Sequence, residues 1–135
     1  MASRSLQDLH ELIRPLAYKF VSSCKAEGIE LLVTCTLRTL EEQTELYSKG
    51  RSSPGKIVTN AQAGSSAHNY GLALDVVPMV GGKPLWDFNQ RNLDPIWKRV
   101  GELGQAAGLQ WFGAQDSPFV EGAHFQLKGW REHIK

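Results

Sequence analysis

Two short segments of this chain, far apart in sequence, carry the side-chain types that hydrolytic metal sites use. The first is Ser66-Ala67-His68-Asn69-Tyr70-Gly71-Leu72-Ala73-Leu74-Asp75 and the second is Glu121-Gly122-Ala123-His124-Phe125-Gln126-Leu127. Asp75 sits in an apolar run beside Leu74, Val76 and Val77, where a carboxylate without a partner is costly to bury. Strand alternation puts it on the face of Ala73 and Val77, which leaves room for something to approach. A bound cation is one such partner; a loop N–H or an arginine is another. Glu121 and His124 are compatible with a shared site, or with a surface carboxylate beside a half-buried imidazole. Taken together, His68, Asp75 and His124 form a donor set that zinc accepts, and three protein ligands leave a fourth position open for water. Glu121 is then close enough in sequence to His124 to act on that water's proton.

The elements that must position these groups follow from periodicity. Apolar residues from Leu6 to Cys24 recur at helical steps over residues 6–27, with Pro15 either kinking one helix or opening a second at its first turn. Ile29 to Thr36 reads as a strand. Thr39 followed by Glu42 is a capping box that starts a helix running to about 49, with Gly50 as its stop. Residues 51–67 form a long loop rich in Ser, Gly and Pro, of the kind that carries function. Leu72 to Val77 is a strand, and Val80-Gly81-Gly82-Lys83 is a hairpin turn into a short strand near Pro84 to Trp86. Asp94-Pro95 caps and opens a helix to about Ala107; Leu109–Phe112 and Ala123–Leu127 are short strands. Trp86 is expected in the core, whereas Trp111 is open to either the core or the cleft. Helices followed mainly by strands indicate an α+β fold, with helices packed on one face of a small antiparallel sheet.

These residues also carry a family resemblance. Ser-x-His-x6-Asp followed by Glu-x-x-His is similar to the zinc peptidases of peptidoglycan metabolism, the VanX and VanY D-Ala-D-Ala peptidases and the phage L-alanyl-D-glutamate endolysins. Arg38-Thr39, Gln43, Leu46-Tyr47 and Gly50-Arg51 match in order, as do Trp86-Asp87, Gly108-Leu109 with Trp111, and His124-Phe125-Gln126-Leu127. The resemblance runs from about residue 30 to residue 127. It implies a VanX/VanY-like, hedgehog-like zinc peptidase fold with the zinc site at the sheet edge, and one zinc per chain held by His68, Asp75 and His124. It further implies Glu121 as general base and then acid, Arg38 as the group stabilising the oxyanion, and Ser66 as a substrate contact. The competing role for Arg38 is an ion pair with Glu41 or Glu42, and for Ser66 a loop cap. One departure stands out. After Trp111 the family often has Gly-Gly-Asp-Trp, where this chain has Phe112-Gly113-Ala114-Gln115-Asp116, so Asp116 receives no role.

Composition narrows the classes further. The 135 residues carry 15 Lys+Arg and 14 Asp+Glu, a net charge of +1. Without a basic face the chain is not expected to bind nucleic acid. No apolar run approaches a membrane span, and the first residues lack the apolar core of a secretory signal. Cys24 and Cys35 match no zinc spacing and read as reduced, buried thiols, while His10 and His133 read as solvated. The expected protein is one monomeric domain over 1–135, without a separate wall-binding unit. The resemblance implies that it cuts the peptidoglycan stem peptide as a phage L-alanyl-D-glutamate endolysin, held in the host cytoplasm until holin-mediated release. A D-Ala-D-Ala carboxypeptidase and a non-catalytic zinc module are the alternatives.

Overall fold

The structure, a computed structural model, describes residues 2–115, 117 and 120–134. The chain builds α1 (Arg14–Ala26), β1 (Glu30–Cys35), α2 (Leu40–Ser48), β2 (Ala73–Val80), β3 (Lys83–Pro84), α3 (Pro95–Ala106), β4 (Leu109–Trp111) and β5 (His124–Leu127). Pro15 resolves the first helical stretch into two pieces. Leu6–Asp8 is a single 3-10 turn, and α1 starts afresh with the proline in its first turn, where no intrahelical N–H is needed. Thr39 and Glu42 close the expected capping box on α2, and the Asp94 carboxylate caps α3 by accepting from Ile96 N.

All strand pairs are antiparallel, in the order β1-β2-β5-β4, with β3 returning onto β2 through the Gly81-Gly82 turn. Helices α1 and α3 cover one face. Phe125 of β5 meets Phe20 of α1 with ring centroids 4.6 Å apart and lies parallel to Trp111 at 6.1 Å. Because side chains alternate, Phe125 and its register partner Leu74 point into this helix layer, and the paired Asp75 and His124 point to the opposite face. The sheet therefore has a dry side that holds the fold and an open side that carries Asp75 and His124. The expected sheet-edge position corresponds to the rim where β1 ends and β5 begins, on the inner strands β2 and β5.

One expectation fails. Trp86 is 57% exposed, outside the core. Strand β3 ends at Pro84, so the chain leaves the sheet before Trp86. Trp97 fills the core nearby instead, 1% exposed, with its Nε1 donating to Leu85 O at 3.0 Å.

Two glycines let α3 approach the sheet. A Cβ at Gly101 would lie 2.2 Å from the Trp111 ring, and one at Gly104 would lie 2.3 Å from Phe125. The Trp111 ring cannot swing away freely, because its Nε1 donates to Gly122 O at 2.8 Å. We expect Gly101→Ala to lower stability by about 1–3 kcal/mol through overpacking, despite the better helix propensity of alanine. Urea unfolding measures this, and a stabilised variant would contradict the packing.

Candidate metal centre

His68 belongs to a 3-10 turn over Ala67–Tyr70, at the end of the long loop. Ser66 caps the turn by accepting from His68 N, and Gly71 ends it in the left-handed region at φ 68°. A side chain at Gly71 would collide with the backbone of His10, whose N–H donates to Gly71 O at 2.9 Å. The turn is tied to the other arm of the site, since Arg38 N donates to His68 O at 2.9 Å and Asn69 Nδ2 to Arg38 O at 3.1 Å. Asp75 follows on β2, with His124 opposite it on β5. On its other side β1 carries an irregularity between Val33 and Cys35 that brings Cys35 opposite Asp75.

The two imidazoles converge on one carboxylate oxygen. His68 Nε2 is 3.2 Å and His124 Nδ1 is 3.1 Å from Asp75 Oδ1. The far side of each ring has its own acceptor. His68 Nδ1 is 2.9 Å from Thr36 O, and His124 Nε2 is 2.9 Å from Gln126 Oε1. A metal-bound ring would keep its proton on the far nitrogen, donated to Thr36 O or Gln126 Oε1, and present a lone pair inward; without metal the inner nitrogens can instead carry protons and donate to Asp75 Oδ1. Three electron-rich atoms in contact require a cation among them, either a proton or a metal. The two separations to Asp75 Oδ1 are near the edge of about 3.3 Å expected for a tetrahedron with bonds of about 2.0–2.1 Å, and two imidazoles with a carboxylate are donor types that zinc accepts.

A second combination competes. Atoms of Cys35, His68 and Asp75 lie within 4.8 Å of one another. Cys35 Sγ, however, meets His68 at Nδ1, 3.5 Å away, on the edge of the ring that faces Thr36. The thiol thus meets the imidazole at its Nδ1 side, whereas Asp75 meets it at its Nε2 side. On its other side Cys35 Sγ accepts from Arg38 Nη2 at 3.4 Å.

Burial opposes charge on both partners, yet the pair remains ionic without metal. Burial works against the His68 imidazolium, but the hydrogen bond and charge of Asp75, with help from Cys35, push its pKa up to about 10. Burial also works against the Asp75 carboxylate, but hydrogen bonds from His124 and His68 hold it well below the ordinary carboxylate range.

The remaining candidate residues line a cavity of about 560 Å³ together with these three. Glu121 is exposed at its wall. Arg38 makes no ion pair with Glu41 or Glu42; its guanidinium donates to Gln43 Oε1 at 3.0 Å, and its Nε is buried without a partner among the described residues. Ser66 performs the capping role and also lines the cavity. His10 and His133 do not line the cavity, Cys24 and Cys35 are buried free thiols, and Asp116 is outside the described residues. Sequence reasoning assigned no role to two glutamines that the structure makes supports. Gln43 is fully buried between Arg38 and Ala61 O. Gln126 orients His124, and its position two residues on along the same strand was the available signal.

A family model described as VanY, D-alanyl-D-alanine carboxypeptidase, matches residues 7–109. The peptidoglycan L-alanyl-D-glutamate endopeptidase CwlK of Bacillus subtilis (strain 168) is 36% identical over 122 residues, covering 84% of this chain and 73% of that protein. The L-alanyl-D-glutamate peptidase of Listeria phage A118 is 32% identical over 128 residues, covering 93% of this chain and 41% of that protein. Among solved structures, the Serratia marcescens L-Ala D-Glu endopeptidase ChiX has a TM-score of 0.68 at 22% identity and covers 100% of this chain and 93% of its own. A vancomycin-resistance D,D-pentapeptidase VanY in complex with Zn(II) has a TM-score of 0.64 at 17% identity, covering 91% and 74%. Both structures share this fold.

Two outcomes test the donor set. His124→Ala is expected to lose bound zinc while Cys35→Ser keeps one zinc per chain, as read by metal analysis; the reverse pattern would exchange their roles. Because metal-free His68 is protonated below about pH 10, zinc must displace a proton. Affinity should therefore rise about tenfold per pH unit between about pH 6 and 8. Competition with a chelator measures this, and a flat profile would contradict the protonated pair.

Proposed function

This chain belongs to the VanY family of metallopeptidases, and from that premise we propose that it is a zinc-dependent L-alanyl-D-glutamate endopeptidase cutting the stem peptide of peptidoglycan. The observation that carries the reading is the convergence of His68 Nε2 and His124 Nδ1 on Asp75 Oδ1, in a cavity that Arg38 and Glu121 also line. His68, Asp75 and His124 are the proposed zinc ligands. When bound, zinc supplies a Lewis acid that acidifies water and polarises a carbonyl.

The protein's own groups perform the rest. The Glu121 carboxylate takes the proton from the attacking water and passes it to the leaving amine nitrogen. The Arg38 guanidinium, always charged and free of any carboxylate partner among the described residues, faces the charge that develops on the carbonyl oxygen. Gln43 and Cys35 hold it in place before substrate arrives, so little reorganisation accompanies the reaction. Ser66 contributes a substrate contact from the lip of the cavity.

The choice of bond rests on relatives. The Bacillus and phage proteins and the Serratia structure are all named for L-Ala–D-Glu cleavage, which supports the endopeptidase. The family description names a D-Ala carboxypeptidase, which keeps that activity as the second reading. The phage relative supports a lytic role following release from a host cytoplasm, and the Bacillus relative supports a bacterial setting equally. Among the described residues no helix is long and apolar enough to cross a membrane.

Digestion of purified murein followed by mass spectrometry of the new termini separates the readings. We expect a new N-terminal D-Glu; released D-Ala would favour the carboxypeptidase. Glu121→Ala should keep zinc and fold while lowering turnover about 100-fold or more. Loss of zinc with activity would make Glu121 a ligand instead. Arg38→Lys should lower kcat about 10-fold or more with a smaller change in KM, since a point charge does not reproduce the planar fork. Unchanged steady-state kinetics would remove Arg38 from the site.

A further inference from the structure

The cavity holds a second arginine that the proposed chemistry does not use. Arg131 lines it, and among the described residues it makes no hydrogen bond or ion pair. Its guanidinium instead lies 4.4 Å from the centre of the Trp130 ring. Trp130 is buried and packs against Tyr70 at 5.6 Å, and the Tyr70 hydroxyl donates to Gly64 O at 2.8 Å. The base of Arg131 is thus anchored to the same turn that carries His68, two residues before Tyr70. An arginine stacked on a fixed aromatic ring loses little freedom when it binds, and its fork matches a carboxylate in two-point contact. Among the described residues, the ionisable side chains lining the cavity besides the histidines are Arg38, Arg131, Asp75 and Glu121. They cancel in charge, so a bound divalent cation leaves the cavity net positive and suited to an anionic substrate.

We propose that Arg131 is a specificity-determining residue that pairs with the free carboxylate of the residue on the leaving side of the scissile bond. This deepens the proposed function and rests on it. A glutamyl residue has two carboxyl groups. Whichever one continues the peptide, the other remains free, and its amine is the nitrogen released at an L-Ala–D-Glu cut. A leaving residue of this kind therefore presents one carboxylate near the reacting amide, where an unpaired arginine on a rigid base is placed to meet it. Arg38 serves the carbonyl oxygen, and Arg131 serves the side group that identifies the residue.

The test uses the zinc-loaded full chain and two synthetic stem peptides. One carries D-Glu with its carboxylate free and the other carries the same residue with that group converted to a carboxamide. The wild type is expected to show a KM about 10- to 100-fold lower for the acid, the range for a charge-assisted pair. Arg131→Gln should raise KM for the acid to that of the amide, leaving kcat and the amide kinetics within about twofold. Arg131→Lys should restore part of the preference. Cleavage of the amide peptide reports that each variant is folded and active. Equal losses on both peptides, or a wild type indifferent to amidation, would overturn the role of Arg131 while leaving the endopeptidase reading intact. Cleavage of neither peptide by the wild type would overturn the endopeptidase reading, and the role of Arg131 with it.

Discussion

A single carboxylate oxygen accepts two imidazoles, and the open face of the sheet is organised around that contact. Asp75 stands in a strand whose neighbours are all apolar, where an isolated charge would be strongly unfavourable. It is tolerated because His68 and His124 reach it from two directions, each with its far nitrogen already committed to Thr36 O or Gln126 Oε1. Those outer acceptors settle which nitrogens face inward. Without metal the cluster holds a proton and behaves as an ion pair. With metal, in the proposed reading, the same atoms become ligands. The site is thus prepared for a cation by hydrogen bonds laid down during folding.

The helix layer makes this arrangement possible from the other side of the sheet. Phe20, Trp111 and Phe125 fill the space beneath the strands, and Gly101 and Gly104 bring α3 close enough to seal it. Strand pairing then does the positioning. Asp75 faces His124 across one ladder and Cys35 across the other. The residues after β1 are held by the N-terminal segment, with Ser3 N donating to Leu37 O at 2.9 Å and Thr36 N to Ser3 O at 2.7 Å. This fixes the Thr36 carbonyl that orients His68 and the backbone that launches Arg38. In the proposed reading, substrate preference and chemistry are borne by different turns on one frame.

Much of this was legible in the chain itself. The capping box of α2, the proline at the start of α1, the Asp94-Pro95 opening of α3 and the Gly81-Gly82 hairpin are local signals, and local energetics decide them. Asp75 was legible as a polar residue out of place in an apolar strand, and His68 and His124 as its complements. Other features depend on tertiary placement. The exposure of Trp86 follows from how soon β3 ends, which no periodicity specifies. The position of Cys35 beside His68 follows from an irregularity in β1, and the burial of Gln43 from the path of a distant loop at Ala61. Arg131 lies in the last few residues, where neither spacing nor pattern links it to the cavity.

X-ray absorption at the zinc edge, on protein loaded with one equivalent of zinc, addresses the central contact most directly. The account predicts a first shell of only nitrogen and oxygen at about 2.0–2.1 Å, with the multiple-scattering pattern of two imidazoles. A sulfur scatterer at about 2.3 Å would show that Cys35 binds the metal, and a shell with one imidazole or none would show that His68 and His124 do not share it.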